Sequence, residues 1–218
     1  GIIGGGQLAR MMHAASIGLG INVRLLAEAP DTSAATVVHD VTVGDYTDPV
    51  TVRSFAAGCD VVTFDHEHVP TGLLRDLESV GVVVRPGPAA LIHAQDKAIM
   101  RDRLTALGAP CPISRVVTDE AALAAFGEEL GWPIVAKTSR GGYDGKGVWR
   151  LDSAAEAGKP FAGITDAVQI MGEEFVDFAR ELSALVVRSP SGQAAAYPIS
   201  ESVQLNGICV ETITPAPD

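Results

Sequence analysis

A lysine followed by a glycine-rich loop is the part of the sequence best suited to chemistry. Lys137 ends a short apolar run, and four of the seven residues at 141–147 are glycine. A strand that ends in lysine places its ammonium beside the next loop, and glycines let backbone N–H groups approach phosphate oxygens. An ordinary flexible hairpin would explain the glycines but not the charged Arg140, Asp144 and Lys146 among them. The pattern therefore predicts a phosphate-binding loop that closes over a bound nucleotide.

A second glycine turn lies near the start of the sequence. Residues 4–9, Gly-Gly-Gly-Gln-Leu-Ala, match the dinucleotide-binding pattern G-x-G-x-x-A. Glu28 follows about 20 residues later, as the pattern requires. Such a turn can approach an anion closely, and the helix that follows supplies N–H groups for a phosphate. An NAD-dependent oxidoreductase is therefore one alternative, and a turn that serves packing alone is another.

The segment Asp65-His66-Glu67-His68 contains four possible metal ligands. On a strand, alternate side chains point to opposite faces, so the two histidines share one face and the two acids share the other. Two ligands make a poor metal site. We therefore expect a strand end that places Glu67 at the carboxyl edge of a sheet, where open α/β sheets bind ligands.

The elements that position these motifs form two halves, which meet at the turn-forming residues 85–88, Arg-Pro-Gly-Pro. This junction predicts domains at 1–88 and 89–218. In the first half, apolar periodicity predicts short strands that alternate with helices. The strands are at 2–3, 22–27, 37–43, 61–64 and 82–84, and the helices are at 7–19, 50–57 and 71–80. This alternation is typical of βαβ units and a parallel sheet.

The second half is predicted to open with one helix at 90–107, which Gly108 and Pro110 bring to an end. Another helix is predicted at 120–130, and the remaining segments are predominantly β. The strands are at 113–117, 134–137, 168–176, 180–187 and 194–200, with a turn at 189–192.

Composition and charge narrow the function classes. The 218 residues are 47% hydrophobic and 20% charged, which suits a globular protein with a real core. A formal net charge of −11 argues against a protein that mainly grips nucleic acid or an anionic membrane. The three cysteines form no C-x-x-C pair, and no apolar run approaches the roughly 20 residues that span a bilayer. We expect a cytoplasmic protein whose partners are small molecules.

Across essentially its whole length the sequence resembles the 5-(carboxyamino)imidazole ribonucleotide synthase family of the ATP-grasp superfamily. The most specific match is G-G-Y-D-G-K-G at 141–147, since other ATP-grasp families carry different loop residues. The other matching segments are 4–11, 63–70, 96–97, 173–176, 180–183 and 197–198. The resemblance implies a mixed α/β and α+β fold, with a Rossmann-like pre-ATP-grasp domain followed by an incomplete ATP-grasp domain.

The resemblance also assigns site residues position by position. Nucleotide-binding positions would be His93, Lys97, Lys137, Gly142, Tyr143, Asp144, Gly145, Lys146, Gly147, Val148, Glu173, Glu174, Phe175, Val176, Glu181 and Gln204. The ribonucleotide substrate would be held by Gly5, Gln7, Leu8 and Glu67, and catalytic roles fall to Arg140, Tyr143, Asp144 and Lys146. His93 stands where the family often has lysine or arginine, Gln204 where histidine is common, and Asp65 where glutamate is more usual.

The implied reaction uses ATP to join bicarbonate to the amine of 5-aminoimidazole ribonucleotide, through carboxyphosphate, in de novo purine biosynthesis. ATP and Mg²⁺ would be the cofactors, with magnesium bridging the β and γ phosphates. The family tends to form homodimers. Formate-dependent glycinamide ribonucleotide transformylases share the architecture and are one alternative, although their lid differs from residues 141–145. A non-catalytic nucleotide-binding module is another.

The first and last residues of the sequence lead to further expectations. The sequence begins at Gly1, with only two apolar residues before the glycine turn, where a strand of about 5 residues is usual. It stops at Asp218, before the family's later strands that supply acidic magnesium ligands. We therefore expect a missing N-terminal piece, no metal ligands within this fragment, and no activity from residues 1–218 alone.

Overall fold

A computed structural model describes the chain at residues 1–142, 146–162 and 168–217. The chain divides into two units, Gly1–Met100 and Arg101–Asp218. Among the described residues, no helix is both long enough and apolar enough to cross a membrane. The domain boundary predicted after residue 88 stays a prediction.

Short apolar strands and helices alternate along the first unit, as predicted. Its elements are β1 (Ile2–Ile3), α1 (Gln7–Gly18), β2 (Arg24–Ala27), β3 (Asp40–Val43), α2 (Pro49–Ala56), β4 (Thr63–Phe64), α3 (Thr71–Ser79) and α4 (Pro88–Gln95). A further helix, α5 (Lys97–Ala106), begins in the first unit and ends in the second. The four strands form a parallel sheet in the order β3-β2-β1-β4.

Side chains of alternate strand residues fill cores on both faces of this sheet. Ile3 and Leu26 lie on one face, packed with Phe55 of α2 and Leu74 of α3. The other face carries a second cluster that includes Ala9 of α1. The first unit is therefore a doubly wound α/β layer structure. Its central strand β1 has the carboxyl ends of β2 and β4 on either side.

The single helix predicted at 90–107 is wrong, because the chain breaks at Asp96. Asp96 has an extended backbone (φ −133°, ψ 109°) between α4 and α5. Its carboxylate accepts hydrogen bonds from the backbone N–H of Ala98 at 3.0 Å and of Ile99 at 3.2 Å. Aspartate is a preferred N-cap because it satisfies donors that the first helical turn leaves unpaired. A cap therefore starts a new helix where apolar periodicity alone continued the old one.

Four predicted strands in the first unit are also shortened. Those predicted at 22–27 and 37–43 are reduced to Arg24–Ala27 and Asp40–Val43. The strand predicted at 82–84 is reduced to one parallel bridge between Val62 and Val84. Pro86 follows closely, lacks an N–H donor and restricts the residue before it, so a longer ladder is disfavoured. The strand predicted at 61–64 is shortened at its start to Thr63–Phe64 and ends at Phe64, as predicted. Residues 65–68 therefore form bends and turns beyond the sheet edge, where strand alternation does not apply.

The described residues of the second unit combine the end of α5 and a further helix with short strands that pair antiparallel. Its elements after α5 are β5 (Ser114–Val117), α6 (Glu120–Leu130), β6 (Ile134–Thr138), β7 (Val148–Leu151), β8 (Ile170–Glu174), β9 (Glu181–Ser183), β10 (Val186–Arg188), β11 (Ala194–Ala196), β12 (Ser200–Leu205) and β13 (Ile208–Ile213). Short 3₁₀ turns occur at Ala154–Glu156 and Lys159–Phe161. The main sheet has the order β5-β8-β6-β7. Its core includes Phe126 of α6 packed with Ile134 and Ile170.

The remaining strands form two smaller sheets, β10-β11 and β13-β12-β9. The strand predicted at 180–187 is split between them, because β9 pairs with β12 whereas β10 pairs with β11. The predicted turn at 189–192 is confirmed, with the Gly192 N–H donating to the Ser189 carbonyl at 2.9 Å. The hairpin β12-β13 was not predicted. It turns at Asn206 and Gly207, which both have positive φ.

Candidate functional site

The main sheet of the second unit borders a cavity of about 640 Å³. The lining residues are Arg101, Pro110, Cys111, Pro112, Val135, Lys137, Val148, Glu173, Glu174, Phe175, Val176 and Phe178. Most of these side chains are apolar, with one cluster of charged groups. A mostly apolar cleft with a few converging polar groups is the usual form of a small-molecule site.

Strand alternation on β6 positions the lysine of this cavity. Ile134 and Ala136 are buried in the core with α6, so Val135 and Lys137 point to the opposite face. On the neighbouring strand β8, Glu173 lies directly opposite Val135 in the antiparallel register. The sheet therefore brings lysine and glutamate to the same wall of the cavity.

Glu173 is a buried carboxylate held by two cations. Its side chain is 2% exposed, and it accepts a hydrogen bond from Nε of Arg101 at 2.6 Å on Oε1. Its other oxygen, Oε2, pairs with Nζ of Lys137. Burial works to raise the pKa of Glu173, but hydrogen bonds from Lys137 and Arg101 outweigh it and hold this pKa below its ordinary value. Glu173 is therefore an anion at neutral pH, and its partners are cations.

The apolar side of the cavity follows the end of β8. Phe175, Val176 and Phe178 lie there in sequence, and the guanidinium of Arg150 stacks 4.6 Å from the centre of the Phe175 ring. Glu174 ties this segment to the chain before β5, since Ile113 N donates to its carboxylate at 3.1 Å. A flat heterocycle would find aromatic and aliphatic contacts here.

The glycine-rich loop connects β6 to β7 next to this cavity. Gly142 has φ +80°, and a Cβ there would lie 2.6 Å from the carbonyl oxygen of Lys146. Gly147 has φ +72°, and a Cβ there would lie 2.7 Å from Oγ1 of Thr138. Both the dihedral angles and the close approach require glycine at these two positions.

The structure places the described members of the predicted nucleotide-binding set in four groups. The cavity brings together Lys137, Val148, Glu173, Glu174, Phe175 and Val176. Glu181 and Gln204 lie on the exposed strands β9 and β12, whereas His93 and Lys97 belong to the first unit, on α4 and α5. Gly142, Lys146 and Gly147 lie in the loop beyond β6, as does Arg140. Tyr143, Asp144 and Gly145 lie outside the described residues. All of these assignments stay predictions.

The first unit has a second cavity, of about 450 Å³, at the carboxyl edge of its parallel sheet. It is lined by Gly5, Gly6, Gln7, Leu8, Glu28, Thr32, Ser33, Asp65 and His66. The predicted substrate residues Gly5, Gln7 and Leu8 are in this group. Glu67 comes just after Asp65 and His66, and its carbonyl accepts a hydrogen bond from Gln95 Nε2 at 2.7 Å.

Two carboxylates of the chain accept hydrogen bonds from backbone N–H groups of the glycine turn in this second cavity. Gly5 N donates to Glu28 Oε2 at 3.0 Å, and Gly6 N donates to Asp65 Oδ2 at 2.7 Å. Asp65 is 4% exposed, and its second oxygen has no hydrogen-bond partner within the described residues. The buried Nε2 of His66 likewise lacks one. A ligand with hydrogen-bond donors would therefore complete this site.

Sequence reasoning missed several residues of the larger cavity. Val135 was within reach, because it stands two residues before Lys137 on the same strand and therefore on the same face. No comparable pattern in the sequence pointed to Arg101. It pairs with a residue 72 positions later, and no local spacing encodes that contact.

Two family models match the chain. The ribonucleotide synthetase preATP-grasp domain matches residues 1–95, and the ATP-grasp domain matches residues 102–218. The second match covers more than half of the chain. The predicted fold, a pre-ATP-grasp domain followed by an ATP-grasp domain, is therefore confirmed.

Individual relatives agree with these models. The N5-carboxyaminoimidazole ribonucleotide synthase of Mycobacterium tuberculosis is 50% identical over 218 residues, which are 99% of this chain and 51% of that protein. A Staphylococcus aureus N5-carboxyaminoimidazole synthetase complexed with ADP superimposes with a TM-score of 0.91 at 28% identity, over 99% of this chain and 57% of that one. An Aspergillus clavatus synthase in complex with ADP and 5-aminoimidazole ribonucleotide has a TM-score of 0.87 at 30% identity, over 100% and 57%. The chain spans about half the length of the curated relatives it matches.

Proposed function

The chain belongs to the ATP-grasp family, and on that premise we propose that the full-length protein is an ATP-dependent carboxylase of 5-aminoimidazole ribonucleotide. It would form N5-carboxyaminoimidazole ribonucleotide in purine biosynthesis. The observation that carries the proposal is the cavity of the second unit, where Lys137 lies beside the apolar segment Phe175 and Val176. A cation next to a flat apolar slot suits a nucleotide, whose base stacks and whose phosphates need positive charge.

The proposed reaction has two steps. A bicarbonate oxygen attacks the γ phosphorus of ATP, which releases ADP and forms carboxyphosphate. The exocyclic amine of the ribonucleotide then attacks the carboxyl carbon, a C–N bond forms, phosphate leaves and the amine loses a proton. Carboxyphosphate hydrolyses readily, so the site must exclude water, and the loop at 140–147 is the candidate lid.

Within this reaction, Arg140 and Lys146 would stabilise charge that develops on the transferred phosphoryl group. Tyr143 and Asp144 would position bicarbonate or the amine. Support for these roles comes from the matching loop sequence and from the location of the loop beyond Lys137.

Magnesium is proposed as a partner of the ATP phosphates. In the described part of the chain, no three His, Cys, Asp or Glu side chains are grouped so that they could hold a metal ion. No step above depends on a metal ion held by these residues. The ion would offset the charge of the triphosphate when it arrives with the nucleotide.

The ribonucleotide is proposed to bind at the second cavity, through Gly5, Gln7 and Leu8. Asp65 lines this cavity and has an acceptor oxygen without a hydrogen-bond partner among the described residues, which favours it over Glu67 for a hydrogen bond from the substrate. A dinucleotide is disfavoured at this turn, since Glu28 and Asp65 take N–H groups that a pyrophosphate would need and add negative charge. We further propose a cytoplasmic homodimer, which rests on the family resemblance alone.

The test is ATP hydrolysis by the full-length protein that depends on both bicarbonate and 5-aminoimidazole ribonucleotide. Lys137→Ala should lower kcat/KM for ATP by more than about 100-fold, because it removes a charged contact to the phosphates. Lys159→Ala is the matched control, since Lys159 is an exposed lysine of the same unit that pairs with Glu156. Loss of less than a few fold in Lys137→Ala would contradict the site. Activity with formate in place of bicarbonate would instead support a transformylase.

A further inference from the structure

The nucleotide cavity contains one arginine, Arg101, to which the resemblance assigns no role. Its side chain is 20% exposed and lines the cavity together with Lys137, which is 24% exposed. The two cations do not act independently, because each holds a different oxygen of the buried Glu173. The role inferred below rests on the proposed function, since it concerns the same nucleotide.

The charges on this wall show what Arg101 changes. With Arg101, two cations share the carboxylate of Glu173, and these three side chains carry a net charge of +1. Glu174 adds a further carboxylate to the cavity lining. Without Arg101, the carboxylate of Glu173 would face Lys137 alone, and the net charge of that pair would be zero. Charges a few ångströms apart in a partly buried site interact strongly, so Arg101 determines how much of the Lys137 charge Glu173 neutralises.

The geometry of the hydrogen bonds assigns each cation to a different oxygen of Glu173. Nε of Arg101 donates to Oε1 at 2.6 Å, which leaves Oε2 for the lysine. A planar guanidinium holds a carboxylate in a fixed orientation, whereas an ammonium on a flexible stem adapts to it. Glu173 is nearly inaccessible to water, so without Arg101 the lysine would be its remaining charged partner among the contacts described here.

We propose that Arg101 is a positioning residue for nucleotide binding. It fixes the orientation of the Glu173 carboxylate and neutralises part of its charge. Lys137 therefore stays on the cavity wall, and part of its positive charge remains available to the phosphates. Arg101 therefore acts through Glu173 and not by contact with the nucleotide.

A double-mutant cycle on the full-length protein tests this role, with the dissociation constant of ADP measured by calorimetry. Arg101→Gln should weaken ADP binding about tenfold, and Arg101→Lys, which keeps the charge but loses the planar guanidinium, should restore only part of the affinity. In a Glu173→Gln background, adding Arg101→Gln should change the affinity by less than about threefold, because there is no longer a carboxylate to share. Arg115→Gln, which removes an exposed arginine paired with Glu129 in the same unit, is the control and should leave ADP binding unchanged.

The results of these binding measurements distinguish an error in the role of Arg101 from an error in the proposed function. A tenfold loss on adding Arg101→Gln to Glu173→Gln would overturn the proposal, since it indicates direct contact with the nucleotide. An Arg101→Gln variant that binds ADP like the wild type would overturn it as well. If Arg101→Gln alone does not fold, Arg101→Lys replaces it in the cycle: it should weaken ADP binding in the wild-type background and leave it unchanged in Glu173→Gln, and an equal loss in both backgrounds would overturn the proposal. Failure of the wild type to bind ADP would instead refute the proposed function.

Discussion

At the scale of single residues, the buried carboxylate of Glu173 illustrates how competing effects set an ionisation state. Burial disfavours the anion, whereas hydrogen bonds from Lys137 and Arg101 favour it, and the hydrogen bonds prevail. The anion is therefore part of the folded state at neutral pH. Its removal from water is offset only while both partners are present, so the three side chains form one unit energetically.

This balance predicts a pH dependence of stability. The pKa of Glu173 is lowered on folding from an ordinary value of 4.5, so the unfolded chain binds this proton more readily than the folded one. The stabilisation is present above that value and is lost as the pH falls through the lower, folded pKa. Between pH 7 and pH 3, the free energy of unfolding should therefore fall more steeply for the wild type than for Glu173→Gln.

Urea unfolding followed by tryptophan fluorescence would measure this, because both tryptophans of this chain, Trp132 and Trp149, lie in the second unit. Glu211→Gln, on the exposed strand β13, controls for the loss of one carboxylate. Parallel pH curves for the wild type and Glu173→Gln would contradict the assignment of a lowered pKa to Glu173.

At the scale of elements, the hairpin β6-β7 couples a rigid ladder to a loop that only glycine can form. Thr138 N donates to the Gly147 carbonyl at 2.9 Å, so the ladder continues to the base of the loop. Gly142 has both a positive φ and a backbone oxygen where a Cβ would lie. Side-chain bulk at this position must therefore move the loop backbone relative to Lys137.

We expect Gly142→Ala to cost about 1–3 kcal/mol of stability and to weaken ATP binding by more than tenfold, because the backbone must leave its left-handed conformation. Gly192→Ala is the matched control. Gly192 also has a positive φ, +91°, but it lies in the β10-β11 turn and not along the cavity. Both variants should lose stability by thermal unfolding, whereas only Gly142→Ala should raise the dissociation constant for ATP. Equal nucleotide affinities in the two variants would refute a role for the loop geometry.

How far the sequence predicted these elements depended on how local their signals are. Helix α6 spans Glu120–Leu130, the predicted range, because Asp119 caps its start and Gly131 ends it. The break at Asp96 was missed, since apolar periodicity runs through it and a cap inside an apolar stretch resembles an ordinary polar residue. The hairpin β12-β13 was missed for another reason: its strands carry no clear alternation of buried and exposed residues.

The same distinction holds for the candidate site. Lys137 and Val148 belong to a continuous strand–loop–strand segment, so a sequence pattern could bring them together. The Arg101–Glu173 pair arises only when α5 and β8 meet in the folded second unit, and no spacing rule anticipates it. Sequence patterns therefore do not predict those contacts in a site that are made between distant segments of the chain.

At the scale of the whole molecule, two cavities of different chemistry lie in two different units. The cavity of the first unit has carboxylates, an imidazole and a glycine turn, which suits a ligand rich in hydrogen-bond donors. The cavity of the second unit has cations and aromatic rings, which suits a nucleotide. The net charge of −11 gives no general attraction for anions, so binding of a nucleotide would depend on the local cations of the cavity in the second unit.

This division predicts which amides each ligand protects from hydrogen exchange in the full-length protein. ADP alone should slow exchange at residues 135–138 and 173–178 of the second unit, because binding there stabilises the folded strands. 5-Aminoimidazole ribonucleotide alone should slow exchange at residues 5–8 and 65–67 of the first unit. NADH is the discriminating third ligand: if it protects residues 4–9 and ADP protects neither region, the glycine turn binds dinucleotides and the proposed assignment of both cavities is wrong. If ADP protects the second unit and NADH protects nothing, the turn has kept the geometry of a dinucleotide site while Glu28 and Asp65 have closed it to phosphate.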